Sequence, residues 1–133
     1  MDKIDSSEEN IFIPAKSSKD YDDIDVLLDE IESPISEDET FNEALNLNKT
    51  QNFKEVVFVC NKYLKESLGT SRLHNILAIA YVELNELEKA IQSFKNSVQL
   101  SPQNVENINN LAVAYLKNSQ PNNAVKQFRA ALS

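Results

Sequence analysis

Residues 71–100 read SRLHNILAIAYVELNELEKAIQSFKNSVQL, and residues 105–133 read VENINNLAVAYLKNSQPNNAVKQFRAALS. Set against each other at an offset of 34, Asn75 falls on Asn109, Leu77-Ala78 on Leu111-Ala112, Ala80-Tyr81 on Ala114-Tyr115, Ala90 on Ala124 and Phe94 on Phe128. Ile79/Val113, Ile91/Val125, Lys95/Arg129 and Val98/Leu132 are conservative matches. Self-similarity at a fixed period of this length marks a repeat array, in which each unit buries its apolar face against its neighbours.

Each unit contains two apolar-periodic stretches, as expected of two helices. The first runs from Arg72 to about Leu84, Asn85-Glu86 turns the chain, and Leu87–Leu100 forms the second. Asn tolerates the positive φ that such a turn requires. Pro102 disfavours helix at Ser101, so Ser101-Pro102-Gln103-Asn104 closes the unit. In the next unit Asn118-Ser119-Gln120 makes the turn and Pro121 opens the second helix, where its missing N–H is harmless.

A 34-residue helix-turn-helix unit with Leu77, Ala78 and Tyr81 on one helix, Ala90, Phe94 and Ser97 on the other, and a closing Pro102 resembles the tetratricopeptide repeat. Leu111, Ala112, Tyr115, Ala124, Phe128 and Ala131 repeat the pattern. One period earlier Ala44, Leu47, Val56, Val57, Cys60 and Leu64 supply small or apolar residues, but Glu43 stands for the leucine and Leu68 for the proline. The expected organisation is therefore an all-α, tetratricopeptide-like α-solenoid over 37–133: a degenerate repeat at 37–70, one at 71–104, and one at 105–133 lacking its last residues. Departures from the family are His74 and Ile108, where it favours a large aromatic, and Asn85 and Ser119 in place of a turn glycine.

The first helices are apolar nearly all round, which means full burial or a face waiting for a ligand. Arg72, Asn75, Ile79 and Val82 trace a stripe beside the packing seam, and Asn109, Val113, Leu116 and Lys117 do so one unit later. The resemblance implies that such helices line a concave groove for extended or helical peptides, with Asn110 placed like a groove asparagine of the family. On that basis Asn75, Asn109 and Asn110 are expected to hold a peptide backbone, and Arg72 and Lys117 to meet acidic groups. The Lys/Asn cluster by which some family members clamp a chaperone's C-terminal carboxylate is not reproduced, because Ile79 stands where one clamp asparagine would be. The implied role is a protein-interaction module, a scaffold or adaptor; the alternative is a non-catalytic repeat segment of a larger enzyme such as a glycosyltransferase or sulfotransferase.

Ahead of the repeats the composition changes. Residues 1–40 hold 14 acidic residues against 3 lysines, a net charge of minus 11, whereas residues 41–133 hold 10 basic and 7 acidic, a net of plus 3. Low hydrophobicity with such charge predicts a largely disordered acidic tail over 1–36. Within it Tyr21, Ile24, Leu27, Leu28 and Ile31 fall at helical spacing between carboxylates, so a short amphipathic helix is expected at 20–32.

Most catalytic classes fail on composition. One glycine cannot build a phosphate-cradling loop or a dinucleotide fingerprint, and one Cys with one His cannot make a zinc site or a disulfide framework. Ile24 and Val26-Leu27-Leu28 occupy the ligand places of a would-be calcium loop that also lacks its glycine. His74 reads as a packing histidine and Cys60 as a small buried hydrophobe. No enzyme activity, cofactor or metal is expected. Without a basic cluster, nucleic-acid binding is not expected either, nor is membrane insertion, since no run approaches the ~18 apolar residues of a span. The N-terminus lacks a secretory signal, so the cytoplasm is the expected compartment. Val125, Phe128 and Leu132 lack a polar capping helix, so the expectation is either that the chain is cut from a longer array or that this C-terminal edge self-associates with another copy.

Overall fold

Six helices follow one another among the described residues: α1 (Glu37–Lys49), α2 (Phe53–Leu64), α3 (Ser71–Glu83), α4 (Leu87–Leu100), α5 (Val105–Lys117) and α6 (Pro121–Leu132). The computed structural model describes residues 35–133, together with the backbone of Lys16–Ser17 and Lys19–Asp20. Those two dipeptides, β1 and β2, pair antiparallel with Lys16 opposite Asp20. The rest of the acidic tail, and with it the helix expected at 20–32 apart from Asp20, lies outside the described residues.

The period of 34 is written into the backbone. First helices begin at Glu37, Ser71 and Val105, and second helices at Phe53, Leu87 and Pro121. Each first helix is opened by a side-chain cap. Ser36 accepts from the Glu39 N–H while Glu39 reaches back to the Ser36 N–H, Thr70 accepts from the Leu73 N–H, and Asn104 from the Asn107 N–H. The second helices have no side-chain cap, because the preceding turn positions their start instead.

That turn is the same three times. Gln51, Asn85 and Ser119 adopt φ of 63°, 62° and 59°. The next residue's N–H then donates to the carbonyl five residues back, Asn52 to Leu47, Glu86 to Tyr81 and Gln120 to Tyr115, each at 2.8 Å. Gln51, Asn85 and Ser119 themselves donate to Asn48, Val82 and Leu116 at 3.1, 2.9 and 3.0 Å. These paired bonds are the Schellman closure, which satisfies the orphan carbonyls of the first helix and reverses the chain tightly enough for the second to pack on it.

Between α2 and α3 the connection differs. α2 stops at Leu64, and Lys65–Thr70 makes a longer passage whose Gly69 has φ of 76°. A side chain there would have to displace the tip of Leu64, whose Cδ2 lies 2.5 Å from the Cβ position, and would be strained by the positive φ, so the sole glycine of the sequence sits where glycine is favoured. Each helix packs on its sequence neighbour, and α1 also contacts α3. One core runs through the six helices, from Ala44, Val56 and Cys60 through Leu73, Leu77, Tyr81, Ala90 and Phe94 to Leu111, Tyr115 and Ala124. Alanines recurring at Ala44, Ala78 and Ala112 let the paired helices approach, and the aromatic residues fill the space between pairs.

Candidate peptide-binding face

Because α1, α3 and α5 start in register, equivalent side chains come side by side. Arg72 on α3 reaches α1, donating from Nε to Glu37 Oε2 at 3.0 Å and from Nη2 to Glu37 Oε1 and Asp38 Oδ1. Its guanidinium also lies 4.2 Å from the Phe41 ring centroid, a cation–π contact. Thr70 Oγ1 donates to Glu37 as well. The Arg72 hydrogen bonds hold the Glu37 carboxyl below the usual carboxylate range, against the upward push of its burial and with help from Thr70. At this end of the face Arg72 is thus engaged by the protein's own acids.

Farther along, Asn110 Nδ2 on α5 donates to Asn75 Oδ1 on α3 at 3.2 Å. The pair leaves Asn75 Nδ2 and Asn110 Oδ1, a donor and an acceptor, without a partner among the described residues. Beyond it Ile79 and Val82 are half-buried on α3, while Val113 and Leu116 are exposed on α5. Asn109 is exposed and stands outside the Asn75–Asn110 pair, and Lys117 is exposed at the end of α5. All nine residues singled out from sequence lie on α3 or α5.

Residues on α1 were overlooked. Phe41, Leu45 and Asn48 occupy the positions of Asn75, Ile79 and Val82 one period earlier and are half-buried. The 34-residue offset, carried once more toward the N-terminus, would have found them. Asn48 Oδ1 is buried and has no hydrogen-bond partner among the described residues.

A second depression, about 440 Å³, lies between α2, α3 and α4 and is lined by Asn61, Leu64, His74, Tyr81, Lys89 and Gln92 among others. Its polar groups serve one another. Asn61 Nδ2 donates to the Tyr81 hydroxyl at 3.1 Å, and Lys89 Nζ lies 5.8 Å from the Tyr81 ring centroid. His74 Nε2 donates to the Leu68 carbonyl at 2.9 Å, which ties the α2–α3 passage to α3. Cys60 is buried, and desolvation pushes its thiol up to about 12, far from a reactive thiolate. Among the described residues no group of three or more His, Cys, Asp or Glu side chains is placed to hold a metal ion. None of their helices is long and apolar enough to cross a membrane.

Residues 79–119 match the family model described as TPR repeat. No curated protein sequence matches the chain significantly. Among solved structures, "MamA 41-end from Desulfovibrio magneticus RS-1" superposes with a TM-score of 0.69 at 19% identity, covering 87% of this chain and 67% of that one. "MamA MSR-1 C2" gives 0.66 at 20% identity, with coverage of 86% and 67%. "Second TPR of Spaghetti (RPAP3) bound to HSP90 peptide SRMEEVD" gives 0.67 at 14% identity, covering 72% of this chain and 89% of that one. At these identities the likeness is one of fold, and the chain spans about two thirds of the length of those MamA structures.

Proposed function

We propose that residues 37–133, an all-α array in which 79–119 match the TPR repeat model, act as one interaction domain whose α1–α3–α5 face holds a partner peptide or helix. The observation that carries this reading is the Asn75–Asn110 pair, whose remaining donor and acceptor have no partner among the described residues and are flanked by Ile79, Val82, Val113 and Leu116. A peptide backbone needs both a donor and an acceptor, and apolar side chains alongside supply the contact area. That the second repeat domain of RPAP3 was solved with a peptide bound agrees with a peptide-holding role for the fold. Since Arg72 is already neutralised by Glu37 and Asp38, selectivity for acidic ligand groups falls to Lys117, and apolar side chains dominate recognition. The role is that of a scaffold, which brings its ligand to a place rather than transforming it.

A fluorescence screen of peptide libraries against the full chain, followed by variants, tests this. For a peptide that binds, Asn75→Ala with Asn110→Ala should weaken affinity by about 1–3 kcal/mol, roughly 5- to 150-fold, while moving the melting temperature little. Asn109→Ala alone should do less. Unchanged affinity in the double variant and in Val113→Asp would move the binding site off this face and refute the reading.

A further inference from the structure

α2 and α4 both pack on α3, and a groove is left between them over Leu77 and Tyr81, on the side of α3 turned away from Asn75, Ile79 and Val82. Two depressions of about 440 and 400 Å³ make it up, joined because Asn61, Tyr81 and Lys89 line both. Leu64 and Leu77 give the first an apolar floor, Val57 and Leu84 the second. Along α4 the groove runs from Glu86 to Asn96, about 15 Å at the rise of an α-helix. That is room for about four residues of extended chain.

The walls of this groove hold more hydrogen-bonding groups than the protein itself uses. Asn61 Nδ2 donates to the Tyr81 hydroxyl and Gln92 Nε2 to Asn96 Oδ1 at 3.2 Å. Those bonds leave Asn61 Oδ1, Gln92 Oε1, Asn96 Nδ2 and the Tyr81 hydroxyl hydrogen without a partner among the described residues. Acceptors and donors thus stand on both sides of an apolar floor, the complement of a peptide backbone, in which C=O and N–H alternate. The repeat does not require these side chains, since one period later Asn61, Gln92 and Asn96 give way to Lys95, Lys126 and Ala130. His74, 8% exposed, also lines the groove, and its Nδ1 has no partner among the described residues. At the Glu86 end two lysines meet one acid. Lys89 Nζ lies 3.1 Å from Glu86, whereas Lys54 has no carboxylate within ion-pair distance among the described residues. A ligand carboxylate is therefore favoured there. We propose that the α2–α4 groove binds an extended peptide segment of a partner protein, with an aspartate or glutamate at the Lys54 end. This site is independent of the peptide-binding reading of the α1–α3–α5 face.

The test is selection of a displayed library of random heptapeptides on the full chain carrying Asn75→Ala and Asn110→Ala, which weakens the other face. Retained sequences should be rich in Asp and Glu and poor in Lys and Arg. A retained peptide, synthesised with capped ends, should shift the side-chain amide signals of Asn61, Gln92 and Asn96 in the NMR spectrum of the full chain. Its affinity should fall about tenfold or more in Lys54→Glu and in Gln92→Ala with Asn96→Ala, all substitutions of side chains at the surface, with helix content unchanged by circular dichroism. Replacing the peptide's acid by lysine should weaken binding to wild type and restore it to Lys54→Glu. Affinity for wild type and for the Asn75→Ala, Asn110→Ala variant should be equal. No retained peptide, or retained peptides without acids, would overturn the proposal. So would binding that leaves the three amide signals in place or that ignores Lys54→Glu. Peptide binding that displaces residues 1–34 from the groove would make the chain's own tail the occupant and overturn the assignment to a partner.

Discussion

Gln51→Gly should stabilise this protein, although glycine in place of a larger residue usually weakens a helical one. Gln51 sits at the left-handed position of the α1–α2 turn with φ of 63° and its side chain exposed. For an L-residue that conformation costs roughly 1–2 kcal/mol through contact of Cβ with the following carbonyl. Glycine removes this cost but makes the unfolded chain more flexible, which takes back about 0.4–1 kcal/mol. The balance is a gain of about 0–1.6 kcal/mol, which at its midpoint of ~0.8 kcal/mol is about 3–6 °C in melting temperature for a domain of this size. Ser119→Gly should gain a similar amount, whereas Asn85→Gly should gain less because Asn tolerates the left-handed region. Urea denaturation of the three variants, beside Lys95→Gly in the exposed interior of α4, measures the effect. Lys95→Gly should lose about 1 kcal/mol, the ordinary cost of glycine within a helix. If Gln51→Gly and Ser119→Gly lose stability as Lys95→Gly does, the turns are not strained and the argument from φ fails.

Phe94 and Phe128 share one register position but not one environment, so Phe94→Ala should cost about 3–5 kcal/mol by urea denaturation and Phe128→Ala less than about 2. Glu37, its carboxyl held low by Arg72, should contribute stability that is fully present above the usual glutamate range and is lost as pH falls through its depressed value. The melting-temperature gap between wild type and Glu37→Gln should accordingly be widest near neutrality and close in acid; a gap that stays constant down to pH about 2 would refute the linkage. The buried Cys60 thiol should resist a disulfide reagent in the native protein and react in step with unfolding as urea is added, whereas rapid labelling without denaturant would show that α2 opens locally.

Much of the fold could be read directly because its determinants are local and periodic. The all-α repeat architecture follows from the 34-residue self-similarity, and the burial of Leu77, Ala78, Tyr81, Ala90 and Phe94 follows from their helical spacing. His74 and Cys60 are buried, as their packing registers implied. The turn at Asn85 was legible from a residue type that accepts positive φ. The equivalent conformation at Gln51 was not, since glutamine has no such preference and is held there by the closure bonds of the helices on either side.

What the amino-acid order determined by itself was thus the period, the helices and the residues that face the core, all properties of neighbours within a turn or two along the chain. Only the tertiary structure decided how the candidate face is wired. Arg72 was expected to await an acidic ligand, but it meets Glu37 and Asp38, 35 and 34 residues away, and stacks on Phe41. Asn110 pairs with Asn75 across 35 residues, and Phe41, Leu45 and Asn48 extend the stripe onto α1. Pairings of this kind depend on which polar groups come within about 3 Å when separate helices stack, and side-chain periodicity within one helix carries no record of that distance.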